Sequence, residues 1–137
     1  MRYISPFPAG QSGPAITFGP GANNMVDATF AALVEQAAIA SGLSFNINFT
    51  TNGVHAPASR HYIGKACDID RVEGQPAIAS NVHAVALQST FQNLPGIREN
   101  FGPAANTKKP GDGSHPDAAG GGRSYDPHPR FESMRNV

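Results

Sequence analysis

Ser59-Arg60-His61-Tyr62-Ile63-Gly64-Lys65-Ala66-Cys67-Asp68 is the stretch around which the rest of the chain is arranged. It sets a histidine and an aspartate seven positions apart, with a glycine and an alanine between them. Imidazole nitrogen and carboxylate oxygen are donors that a borderline-soft divalent ion such as zinc accepts, usually tetrahedrally. Two ligands do not hold a catalytic metal, so a third must come from elsewhere. From Lys65 to Ile69 the residues alternate as in a strand, with Cys67 and Ile69 on one face and Ala66 and Asp68 on the other. Cys67 and Ile69 are expected to pack inward while Asp68 offers its carboxylate from the open face. Gly64 permits a tight bend that returns His61 to that face, and Ala66 keeps the floor between the two ligands small. The plainer reading is an ordinary strand with a surface histidine and a solvated aspartate.

The pattern Ser-x-His-x-x-Gly-x-Ala-x-Asp, carried by Ser59, His61, Gly64, Ala66 and Asp68, resembles the signature of the zinc peptidases that act on bacterial cell walls. That group includes D-alanyl-D-alanine carboxypeptidases and the L-alanyl-D-glutamate endopeptidases of phage endolysins. Lysostaphin-type enzymes are more distant relatives, and the hedgehog signalling domain carries a similar stretch. The resemblance implies that His61 and Asp68 are zinc ligands. It also implies an α+β fold in which a small antiparallel sheet is packed by two main helices, with long Gly/Pro-rich loops and a metal site on the open face of the sheet. Beyond the signature it extends, with lower specificity, from about residue 25 to the C-terminus.

With 137 residues the chain fits one domain with a modest core. Its formal net charge of zero gives no footing to a nucleic-acid surface. The single cysteine, Cys67, excludes an internal disulfide and reads as a small core residue. No run approaches the roughly 18 to 20 apolar residues of a membrane-spanning helix. Pro6, Pro8, Gly10 and Gly13 interrupt the start, which lacks a signal-peptide pattern, so delivery to a cell wall needs another route. A phage-encoded or virion-associated enzyme, acting in the bacterial wall or periplasm, has one.

Residues 1–22 read as an extended arm laid over the domain or over a virion or assembly partner, and residues 23–137 as a single zinc-peptidase-like domain. Asn24, with Asp27 three residues later, suits the start of a helix over 25–41. Val26, Phe30, Leu33, Ala37 and Ala40 supply its apolar stripe and Gly42 its stop. Leu43 to Thr50 alternates as a half-buried strand with Phe45, Ile47 and Phe49 inward. Asn52-Gly53 and Pro57 mark a loop, in which His55 reads as solvated. A turn around Glu73-Gly74-Gln75-Pro76 precedes a second helix, capped by Ser80 or Asn81, with Ala84, Leu87, Phe91 and Leu94 on one stripe. His83 lies off that stripe. Ile97 to Phe101 reads as a short strand and residues 102–123 as a long loop framing the site.

Members of the resembled family close their site with a histidine near the C-terminus, commonly two or three residues after an acidic residue or second histidine. Ser124-Tyr125-Asp126-Pro127-His128-Pro129 fits, with His128 as third ligand and Asp126 as the catalytic base. Three protein ligands leave a fourth position for water, whose pKa zinc lowers toward 7. A nearby carboxylate can then move the proton to the leaving amine. Pro127 and Pro129 restrict this segment to an edge or extended conformation. His115, with Asp117, is the rival third ligand. By the same resemblance Ser59 steadies the ligand loop, and Arg60 is placed to meet a substrate carboxylate with its planar guanidinium. The expected function is hydrolysis of an amide bond in peptidoglycan stem peptides. The alternative is a non-catalytic structural or binding module of the same fold, for example a virion component. A serine or cysteine hydrolase is disfavoured, because Cys67 should face the core and no Gly-x-Ser-x-Gly elbow is present.

Overall fold

The structure is a computed structural model that describes residues 1–53, 63–97, 99–102, 106–108, 115–116 and 131–133. Along the chain its elements are β1 (Ile16–Phe18), α1 (Ala28–Ser41), β2 (Phe45–Phe49), β3 (Cys67–Val72), β4 (Gln75–Pro76), α2 (Val82–Asn93), β5 (Glu99–Phe101), β6 (Asn106–Lys108), β7 (His115–Pro116) and β8 (Phe131–Ser133). Two helices and a mixed sheet make the fold α+β. Sheet order is β1-β2-β3-β8-β5-β6-β7, with β4 paired to β3 beside β8. The expected all-antiparallel sheet is corrected at one edge, where β1 runs parallel to β2, Ile16 opposite Phe45 and Phe18 opposite Ile47. Helix α1 is the reason: a helical crossover brings the chain back to the same end of the sheet, as a tight turn cannot.

Helix α1 begins later than the Asn24 cap suggested. Asp27 is its N-cap, with a carboxylate oxygen accepting the Phe30 N–H at 3.0 Å, an interaction worth about 1 kcal/mol. Val26 cannot be helical because its backbone is already engaged. Its N–H donates to the Arg2 carbonyl at 2.8 Å, and its own carbonyl accepts the Arg2 N–H at 2.9 Å. The buried stripe is Phe30, Ala31, Val34, Ala37 and Ala38, while Leu33 is only half-buried and Ala40 exposed. The face is therefore rotated by about one position from the expected one. Gly42 ends the helix in the left-handed conformation, its N–H returned to the Ala38 carbonyl.

Helix α2 follows its sequence closely. Asn81 caps it, accepting the His83 and Ala84 N–H groups. The Asn81 amide also donates to the carbonyls of Val72 and Pro76, tying the helix start to the β3–β4 hairpin. Ala84, Leu87 and Phe91 are buried with Gln88, and His83 is exposed. Phe91 meets Phe45 of β2 edge-on, ring centroids 6.2 Å apart, which adds to the area both rings remove from water. The helices share one core with Ile16, Phe45, Ile47, Cys67, Ile69 and Val72.

Strand β2 departs from simple alternation. Its register against β3 shifts on both sides of Ile47, so Phe49 ends half-buried and Thr50 fully buried. The Thr50 hydroxyl donates to the Ala22 carbonyl at 2.7 Å. Residues 102–123, expected to be loop, contain β6 and β7; the remainder of that stretch, Gly102 excepted, lies outside the described residues.

The N-terminal segment is packed into the domain. Ile4 and Ile16 are buried, and β1 is part of the sheet. Arg2 forks onto Glu35 of α1, with its two terminal nitrogens 2.6 and 2.7 Å from the two carboxylate oxygens. The Ser5 N–H donates to the same carboxylate at 2.7 Å. Burial pushes the Glu35 carboxyl upward, but the hydrogen bonds from Arg2 and Ser5 and the Arg2 charge outweigh it and leave it below its ordinary value. A carboxyl lowered on folding contributes stability that is full above its unfolded pKa and fades as pH falls through the folded one. Urea unfolding should therefore show wild type losing stability below about pH 4.3, with Glu35→Gln losing less over the same interval. Equal acid sensitivity of the two proteins would contradict the pairing.

Candidate metal centre

Gly64 has the bend its sequence position suggests, with φ at +72°. It is buried, and a Cβ there would lie 2.9 Å from the Asp27 nitrogen and 3.0 Å from the Val26 Cα. Both neighbours are backbone atoms and cannot swing aside. The Gly64 carbonyl accepts the Asp27 N–H at 3.0 Å. The turn that opens the Lys65–Asp68 run is thus seated against the residue that caps α1.

From this turn the chain enters β3 with Ala66, Cys67, Asp68 and Ile69 all buried. Cys67 and Ile69 face the helical core as expected. Burial, and secondarily the Asp68 charge, push the Cys67 thiol well above its ordinary value, which makes it an inert core thiol. Asp68 differs from expectation. Its carboxylate was to stand on an open face, yet the residue is 1 % exposed. The strand is central, flanked by β2 on one side and β8 on the other, and is covered on both faces at this level.

In register, Asp68 lies between Phe49 of β2 and Glu132 of β8. Further along the sheet the face away from the helices is polar. The Thr17 hydroxyl donates to the Asn46 Oδ1 at 2.8 Å, and the Asn46 amide donates to Asp70 at 2.8 Å. This row crosses β1, β2 and β3 with its hydrogen-bonding groups matched, which suits a face that is polar and partly wetted.

Of the residues singled out from the sequence, Asp68 sits at the sheet centre and His115 on β7. Ser59, Arg60, His61, Asp126 and His128, with the loop histidine His55, lie outside the described residues. Four strand steps separate β3 from β7 in the sheet order, about 19 Å across an open sheet at the usual strand spacing. Strand β8 begins three residues after His128 and pairs Phe131, Glu132 and Ser133 with Ile69, Asp68 and Cys67. Sequence reasoning missed this strand because Phe131-Glu132-Ser133 is too short to show a period and follows a proline-rich segment. Among the described residues, no group of three or more His, Cys, Asp or Glu could hold a metal ion. No helix among them is long and apolar enough to cross a membrane.

Comparison with protein-family models, with curated proteins and with solved structures finds no match to this chain.

Replacing Gly64 by alanine forces a side chain into the left-handed region, about 1–2 kcal/mol, and drives it against backbone, about 1–3 kcal/mol more. Gly64→Ala should therefore unfold at distinctly lower urea, by roughly 2–5 kcal/mol in total. A loss under about 0.5 kcal/mol, the usual range of an innocuous surface change, would show that the turn is not seated as described.

Proposed function

We propose that the chain is a zinc-dependent peptidase that hydrolyses an amide bond in peptidoglycan stem peptides, with His61, Asp68 and His128 as metal ligands and Asp126 as general base. The observation that carries this reading is the burial of Asp68 at 1 % exposure on a central strand, within a pattern that matches the wall-peptidase signature at each of its positions. Aspartate is disfavoured both in strands and in interiors. A sequence that breaks both rules at one position marks that position for function. Burial also removes the plainer reading of Asp68 as a solvated residue.

The donor set fits zinc. Asp68 supplies carboxylate oxygen, while the neighbouring Cys67 thiol belongs to the opposite, helical side of the sheet. His128 is favoured over His115 because the segment that carries it leads into β8, next to β3, whereas β7 lies four strands away. When bound, zinc supplies Lewis-acid polarisation of the scissile carbonyl and acidifies water. Asp126 accepts the proton of the attacking water and delivers it to the departing amine. Arg60 holds a substrate carboxylate through its two-pronged guanidinium. Ser59 hydrogen-bonds within the loop and steadies His61. The site of action is the bacterial wall, reached by a phage-encoded or virion-associated protein.

Metal content and murein hydrolysis test the assignment together. Wild type and His115→Ala should carry one zinc per chain, and His128→Ala and Asp68→Asn should lose most of it. Asp126→Ala should keep zinc and lose about 10²- to 10⁴-fold in stem-peptide release, the usual contribution of a general base. Stoichiometric zinc with no release of fragments from purified murein by wild type would sink the enzymatic reading and leave the non-catalytic module.

A further inference from the structure

The N-terminal residues reach the proposed ligand loop through an unbroken chain of short contacts. Glu35 on α1 holds Arg2 through both carboxylate oxygens and holds the Ser5 N–H as well. Residues 2 to 5 are thereby fixed against the middle of α1. Arg2 in turn exchanges two backbone hydrogen bonds with Val26, at 2.9 and 2.8 Å. The next residue, Asp27, donates its N–H to the Gly64 carbonyl, and Gly64 is packed so closely on Val26 and Asp27 that no Cβ fits. Gly64 precedes Asp68 by four residues and follows His61 by three. Any slack in the Val26–Asp27 backbone is therefore passed to the turn between the two proposed ligands.

We propose that Arg2 and Glu35 are positioning residues for the metal loop: their ion pair clamps the Arg2–Val26 bridge, which sets where the Gly64 turn sits. The metal part of this statement rests on the zinc reading above; the mechanical part does not. A planar guanidinium gripping a carboxylate at two points fixes orientation as well as distance. That is what a brace requires, and a single-point lysine contact would not supply it. The pair's contribution to global stability is modest, because the Arg2 side chain is 41 % exposed and partly exposed pairs are weak. Its effect belongs in ligand geometry, where loss of an outer support typically lowers metal affinity by 10- to 100-fold.

The test compares wild type, Arg2→Ala and Glu35→Gln with Ala84→Gly, which weakens α2 away from the brace. Zinc affinity is measured by competition with a chromophoric chelator, at a temperature where circular dichroism shows every protein folded. The protection of the Asp27 amide against hydrogen exchange is followed alongside, relative to that of Leu87 on α2. Zinc affinity about tenfold lower in both brace variants and unchanged in Ala84→Gly, with Asp27 protection lost only in the brace variants, is the expected result. Wild-type zinc affinity in the brace variants, or an equal loss in Ala84→Gly, would overturn the positioning role. If wild type binds no zinc, the zinc reading fails by itself and amide exchange decides: lost Asp27 protection upholds the brace, and unchanged protection removes it.

Discussion

One close approach organises this domain, the seating of the Gly64 turn on the backbone of Val26 and Asp27. The Asp27 N–H points at the Gly64 carbonyl and the Asp27 carboxylate caps α1. A single residue therefore fixes both where the first helix begins and where the chain turns into β3. The approach is possible only without a side chain at residue 64 and with a backbone conformation that other residues adopt at a cost. Everything that follows in the chain, the burial of Ala66 to Ile69 and the placement of Asp68 at the sheet centre, starts from that seat.

Asp68 is where local preference and global structure disagree. Strand β3 is otherwise built as a central strand should be, with Cys67, Ile69 and Val72 in the helical core. A carboxylate enclosed at this level is costly to bury unless charge or donors compensate it. That buried carboxylate is the group on which the proposed metal site would draw. The neighbouring thiol is packed into the helical core, where burial pushes its pKa up, so it is no rival to the carboxylate in the proposed site.

Much of this was legible in the sequence, and the reasons it failed elsewhere are physical. The stripe of α2 and its cap at Ser80 or Asn81, the Glu73-Gly74 turn and the inward Cys67 and Ile69 all follow from period and turn chemistry alone, and the structure settles the cap on Asn81. The start of α1 did not, because Val26 is claimed by Arg2 across 24 residues of chain, a pairing no local window contains. Phe49 and Thr50 exchanged their expected roles because register shifts around Ile47 break the period of two. Strand β1, set in a stretch broken by proline and glycine, and strand β8, only three residues long, owe their existence to the neighbours they pair with rather than to their own pattern. Around Asp68 the alternation of the strand was readable and the burial of the carboxylate was not, since burial depends on β2 and β8, which pair with β3 from distant parts of the chain.

The most direct measurement is zinc K-edge absorption on the purified, zinc-loaded protein. The proposed ligation by two imidazoles and one carboxylate would give a shell of nitrogen and oxygen at about 2.0–2.2 Å with imidazole scattering beyond it. A sulfur shell at about 2.3 Å would place Cys67 on the metal, which its seat in the core forbids. Sulfur in that shell, or zinc that washes away to leave no bound metal, would contradict the central claim.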